Sequence, residues 1–220
     1  GQYILSGGTA TTATINSGGY QHVASDGSAT STTIHADGVQ LVSSGGSATT
    51  TTISGGTQHI SSGGSATSTT INHGGEQAIF NGGMAIGTTI SGLATNLVST
   101  RQTIYGGGSA ISTTINSGGY QTIMSGGSAT STTINNHGNQ QVSSGGVATD
   151  TTINNWGFQN IYAGGSATST TIEDGGSQYV NSGGTATSTT ISGGAQYVVS
   201  GGSATSTTIN SGGYQGIFNG

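Results

Sequence analysis

Serine hydroxyls recurring at fixed spacing are the groups in this 220-residue chain best placed for chemistry. One series stands one or two residues after an Ile and just before a Gly pair, at Ser17, Ser54, Ser117, Ser192 and Ser211. A second stands before a further Gly-Gly or Asp-Gly pair, at Ser6, Ser25, Ser44, Ser62, Ser125, Ser144, Ser182 and Ser200. Backbone beside Gly is uncrowded, so an enzyme can reach such hydroxyls and transfer a group to the oxygen. No Asn stands in Asn-x-Ser/Thr, so any glycosylation would be O-linked. The same serines are turn formers that hydrogen-bond the local backbone, and the two readings stay open side by side.

Other chemistries are poorly supplied. The carboxylates are Asp26, Asp37, Glu76, Asp150, Glu173 and Asp174. A glycosidase needs two of them facing each other across about 5 to 9 Å, but Glu173 and Asp174 are adjacent and Asp150 lies on the far side of a turn, so solubilising turn residues is the better reading. His22 and His59 occupy one repeat position with Leu41 between them, which puts them about 10 Å apart, too far for one metal. With no Cys there is neither disulfide nor thiol catalysis. A single basic residue, Arg101, cannot neutralise a series of phosphates, which excludes nucleic acid and anionic membrane surfaces as partners. The Gly-Gly pairs precede no helix and no Lys, so they are not phosphate loops, and Gly-Gly-Ser-Ala-Thr lacks the Asp of calcium-binding repeats. No catalytic residue, metal ligand or cofactor is expected, and the chain reads as a non-enzyme.

The elements that hold these hydroxyls follow from composition and period. Gly (44), Thr (39) and Ser (33) dominate, while the net charge is only −5. So few large apolar residues argue against an ordinary globular core, and so little charge argues against a charged disordered coil. The period resolves the conflict. Ile closes a Thr run at Ile15, Ile34, Ile53, Ile71, Ile90, Ile115, Ile134, Ile153, Ile172, Ile191 and Ile209, mostly 19 residues apart. Gln followed two residues later by an aliphatic recurs from Gln2/Ile4 to Gln215/Ile217, and Ala recurs from Ala10 to Ala204. Each unit reads as a β-branched run such as Ala129 to Ile134, a turn, a Gln-x-aliphatic run and a Gly-Gly turn, with no helical periodicity. Two strand segments and two turns per unit predict an all-β fold: a right-handed parallel β-helix (solenoid) of about twelve coils of 19 residues. At ~4.8 Å per coil the rod is on the order of 55 Å long.

Within that frame Gln and the aliphatic two residues later share a strand face. If Val42 points inward so does Gln40, and an inward Gln must be hydrogen-bonded, which predicts an amide ladder along the axis; a corner position for both series is the alternative. Two units lose one residue in the first turn, at Ile53-Ser54-Gly55-Gly56-Thr57 and Ile191-Ser192-Gly193-Gly194-Ala195, so that turn is read as exposed and tolerant of length change. The unit between Gly82 and Gly106 carries an irregular loop insertion over 91–101, either a recognition loop or a tolerated insertion. Residues 1–220 otherwise read as a single solenoid fragment. Tyr20, Tyr120, Phe158 and Tyr214 share the position before Gln, and Tyr179/Tyr197 and Phe80/Tyr105 stack on adjacent coils. Such ladders suit sugar binding or self-association, or simply cover turn edges.

The wording Gly-Gly-Ser-Ala-Thr-Ser-Thr-Thr-Ile-Asn-Ser-Gly-Gly-Tyr-Gln at 201 to 215, and at 107 to 121 with Ile111 for Thr, resembles the 19-residue passenger repeats of the AIDA-type self-associating autotransporters. The resemblance spans essentially the whole chain. It implies a β-helical passenger secreted through the periplasm to the bacterial cell surface and held to the outer membrane by a C-terminal β-barrel that is missing here, with roles in adhesion to host cells, autoaggregation and biofilm formation. It also implies O-heptosylation of turn serines by a dedicated autotransporter heptosyltransferase. Partners would then be that enzyme, further copies of the chain and the host-cell surface, and covalently attached heptose the only non-protein group. Turns with His73, Asn81, Ala163 or Asp174 lack the acceptor. Two rival readings accompany this one: an ice-binding solenoid, disfavoured by a Ser-Thr-Thr-Ile pattern in place of regular Thr-x-Thr, and a carbohydrate-active β-helix enzyme, disfavoured by the carboxylates.

Overall fold

The structure, a computed structural model, describes residues 1–92 and 100–218. Its strands form three parallel sheets, one of twelve strands and two of eleven, wound as a solenoid of about eleven turns. The coil built by Tyr20–Val23, Ser28–Thr30 and Thr33–Ile34 is representative. Each coil thus holds three strands and three corners, one more of each than the sequence suggests.

The difference lies in the Thr-rich run. β-Branched residues favour one continuous strand from Ala129 to Ile134, yet Ser128–Thr130 and Thr133–Ile134 are separate strands in different sheets. Between them Ser131 takes the left-handed conformation, with φ 57°. The reason is parity. Ala129 and Ile134 are five residues apart and would face opposite sides of an unbroken strand. One left-handed residue turns the chain so that both face inward, and both are buried.

Register is set by stacking like on like: Gln21 pairs with Gln40, Ala29 with Ala48 and Ile34 with Ile53. From Val42 to Val198 the Val and Ile of the Gln-bearing sheet pack against the Ala column in one cluster, Ile4, Val23 and Ala29 form a smaller one in the first coils, and the Ile column forms a third. In the next coil the inward residues are therefore Gln40, Val42, Ala48, Thr51 and Ile53, all essentially inaccessible to solvent. Small residues let the coils approach closely. At Gly46 an added Cβ would collide with the carbonyl oxygen of Val23 in the coil before, so that turn position is open only to Gly.

The amide ladder is present. Gln40 Nε2 donates to Gln21 Oε1 at 2.6 Å, and the same bond recurs up to Gln215 Nε2 donating to Gln196 Oε1 at 2.7 Å. A carbonyl oxygen accepts two hydrogen bonds, and the second donor is an inward Thr that sequence reasoning did not single out: Thr51 Oγ1 to Gln40 Oε1 at 3.4 Å, Thr88 Oγ1 to Gln77 Oε1 at 3.0 Å. Among the described residues the one buried side-chain polar atom without a partner is Asn139 Oδ1, so the polar interior is almost fully satisfied, as burial demands.

Candidate functional site

The three corners of the coil carry the hydroxyls, and they differ. At the turn after the Gln strand, Ser6, Ser25, Ser44, Ser62, Ser125, Ser144, Ser182 and Ser200 are all exposed. Among the described residues no side-chain hydrogen bond holds them. Their backbones fall into two groups. In the first four coils Ser and the residue after it both have positive φ, as Ser44 at 51° and Gly45 at 79° do. From Ser125 onward only the following Gly does, at Gly126, Gly145, Gly183 and Gly201. This is the distinction between a turn with two left-handed residues and one with a single left-handed Gly, and it aims the hydroxyl differently along one column.

At the other Gly-Gly turn the five serines do not form one column. Ser54 pairs with Asn72, so it stands one residue earlier than Ser17, Ser117 and Ser211. Ser192 likewise accepts from Asn210 Nδ2 at 3.1 Å. Deleting a residue after Ile shifts Ser into the Asn position and draws the turn inward: Ser54, Gly55, Ser192 and Gly193 are half-buried, not exposed as expected. Ser17 and Ser211 are exposed and Ser117 is half-buried, and Ser17 Oγ lies 3.4 Å from Asp37 Oδ2.

The third corner was missed altogether. Ser31, Ser68, Ser112, Ser131, Ser169, Ser188 and Ser206 are exposed and left-handed, with φ between 56° and 57°. The five-residue spacing from Ala to Ile was the signal that would have revealed it. Asp150 fills this corner in one coil, whereas Glu173 and Asp174 sit at the first turn of the coil. These carboxylates stand on different edges of the rod. Glu76 accepts from Arg101 Nη2 at 2.6 Å on the outer face of the Gln-bearing sheet. That hydrogen bond holds the Arg101 guanidinium above its ordinary range, burial opposing it.

Three of the five histidines, His22, His59 and His137, have side-chain partners, while His35 and His73 are exposed. His22 Nε2 lies 2.9 Å from Ser43 Oγ, His59 meets Phe80 edge-on and His137 stacks on Trp156. Among the described residues no three His, Cys, Asp or Glu gather as a metal site. Tyr and Phe lie on, or just past, strands of the Gln-bearing sheet. Phe80 and Tyr105 stack with centroids 4.8 Å apart, Tyr179 and Tyr197 at 5.0 Å. Burial, and then the neighbouring Tyr3, push the Tyr20 phenol above its ordinary range. Of the insertion expected over 91–101, positions 93–99 lie outside the described residues. The ladder crosses it unbroken, with Gln102 Nε2 donating to Gln77 Oε1 at 2.6 Å.

The family model described as "Adhesin of bacterial autotransporter system, probable stalk" (AIDA) matches residues 1–56, 104–157, 144–194 and 163–213, well over half of the chain. No curated protein matches the sequence. Among solved structures the chain is similar to a TibC-catalysed, hyper-glycosylated fragment of TibA. Identity is 47% over 100% of this chain and 87% of that one, with a TM-score of 0.88. The Agl-KA catalytic domain, 12% identical over 98% of this chain and 62% of its own, superposes with a TM-score of only 0.28 and supports no enzymatic reading.

Proposed function

The chain belongs to the AIDA family of bacterial autotransporter adhesins, and from that premise we propose that it is a rigid display stalk whose exposed corner serines accept O-linked heptose. The observation that carries the proposal is the column from Ser6 to Ser200, exposed and free of side-chain hydrogen bonds, in a chain 47% identical to a hyper-glycosylated one. The partner is an autotransporter heptosyltransferase acting before export. The first-turn serines Ser17, Ser117 and Ser211 are secondary acceptors, and Ser54 and Ser192, drawn inward, the poorest of the thirteen. On the cell surface the rod presents hydroxyl, sugar and aromatic columns at the coil repeat. Weak contacts to other copies of the chain and to host cells then add through multivalency, giving adhesion, autoaggregation and biofilm growth. Anchoring is supplied by an outer-membrane β-barrel beyond these residues.

Intact-mass measurement of protein made with and without a co-expressed heptosyltransferase tests this. Mass steps of one heptose, reduced when Ser125, Ser144, Ser182 and Ser200 are all changed to Ala, are the expected result. Equal masses in both preparations would sink the acceptor role and leave the stalk alone.

A further inference from the structure

In a full-length first turn the last Gly donates back across the turn, as Gly176 N–H does to Glu173 O at 2.9 Å and Gly213 N–H to Asn210 O at 3.0 Å. The shortened turn at Ile191 to Ala195 lacks that bond. Among the described residues neither Gly193 nor Gly194 donates its N–H to a backbone acceptor, although Gly194 is buried. Beside these two donors lies a shallow recess of about 310 Å³, lined by Gly176, Gly194, Ala195 and Gly212 and by Tyr197 and Tyr214. The two rings stand 5.9 Å apart at 55°. Tyr179, stacked on Tyr197 from the preceding coil, braces the wall. The Asp174 side chain reaches over Gly193, where an added Cβ would collide with its Oδ1.

We propose that this recess binds one pyranose ring of an uncharged glycan. The volume sits at the small end of ligand sites and suits a single ring. The exposed ring of Tyr214 carries negative quadrupole charge on its face, which attracts the weakly positive C–H face of a sugar, while Tyr197, stacked on Tyr179 and on Phe218, holds that ring in place. Sugar hydroxyls, being both donors and acceptors, match the two free N–H groups and the Asp174 carboxylate. Charge selects among sugars: the Asp174 carboxylate stands at the edge of the recess, against Gly193, and the single Arg stands in a distant coil, so an acidic sugar is repelled. The other shortened turn is an internal contrast. Among the described residues Gly56 N–H likewise has no backbone acceptor, but His59 and Glu76 replace the two tyrosines, so the tyrosine pair is absent.

The site uses no modified serine, so it is tested on protein made without a heptosyltransferase, which separates its failure from that of the acceptor role. Saturation-transfer NMR is run with methyl α-D-glucopyranoside, methyl α-D-galactopyranoside and methyl α-D-mannopyranoside, and with N-acetylneuraminic acid as the acidic probe. Transfer to ring C–H protons of at least one neutral probe is expected, with Kd about millimolar for so small a contact. Tyr214→Ala and Tyr197→Ala should weaken it by roughly tenfold or more, with circular dichroism unchanged, whereas Tyr105→Ala should leave it intact. Tyr214 is 52% exposed, so its variant keeps the fold and remains informative if Tyr197→Ala does not. No transfer to any neutral probe at about 10 mM, transfer that persists in Tyr214→Ala, or equal binding of the acidic sugar overturns the proposal.

Discussion

Gln140 Nε2 donates to Gln121 Oε1 at 2.6 Å, and Gln140 Oε1 accepts from Gln159 Nε2 at 2.7 Å and from Thr151 Oγ1 at 3.3 Å. Each rung is both donor and acceptor, so removing one strands its neighbours. Gln140→Leu is close in size but leaves Gln159 Nε2 and Thr151 Oγ1 without an acceptor and Gln121 Oε1 short of a donor. At about 1–3 kcal/mol for each buried orphan, the loss should be about 3 kcal/mol or more. Thr151→Val removes only the weaker, longer bond and should cost about 1 kcal/mol. Urea unfolding gives both values, and faster amide exchange in the coils flanking residue 140 should mark the site, because a solenoid loses stability locally. A neutral Gln140→Leu would show that the ladder contributes nothing.

Ser131 holds the left-handed corner at φ 57°, a conformation costing about 1–2 kcal/mol for a side chain other than Gly, Asn or Asp. Ser131→Val should destabilise by about that amount or more, β-branching being least tolerated there. Ser131→Asn should be neutral or mildly stabilising. Thermal unfolding of the pair decides it, and an equal effect of Val and Asn would remove the conformational explanation.

Glu76 and Arg101 form a short ion pair, but their side chains are 23% and 47% exposed. Solvent screening limits such a pair to less than about 1 kcal/mol. Glu76→Gln should therefore lower stability by under that figure at low salt, with the difference vanishing near 1 M NaCl. A larger loss, or one indifferent to salt, would mean that the pair has a role beyond the surface.

Much of the architecture is legible from spacing alone. Period, parallel stacking and the inward Gln all follow from columns such as Gln21, Gln40 and Gln58, because identical residues at one repeat position can only stack on themselves. What escaped was the break at Ser131. Strand propensity reads Thr-Ser-Thr-Thr as continuous, and only the odd spacing between Ala129 and Ile134 betrays a corner. The inward Thr escaped for the same reason: Thr132 reaches Gln121 only after that corner has turned it inward. Of the candidate acceptors, the second Ser series stands at one exposed turn from coil to coil. Ser54 and Ser192 depart from the column of Ser17, since a deletion can be assigned to either side of a Ser in sequence and strand pairing alone resolves it. The recess at Gly194 was invisible because its walls come from Tyr197 and Tyr214, which belong to different repeats.

The ladder is indifferent to how much chain lies between its rungs. Gln58 is 18 residues from Gln40 and Gln102 is 25 from Gln77, yet the bonds measure 2.7 and 2.6 Å. Every amide points the same way, so each coil meets its neighbours through the same donor and the same acceptor. Gain or loss of one whole repeat, the usual product of slippage in tandem DNA, therefore leaves every surviving rung with an equivalent partner. Rod length is a quantity such a gene can change in single steps without renegotiating its interior.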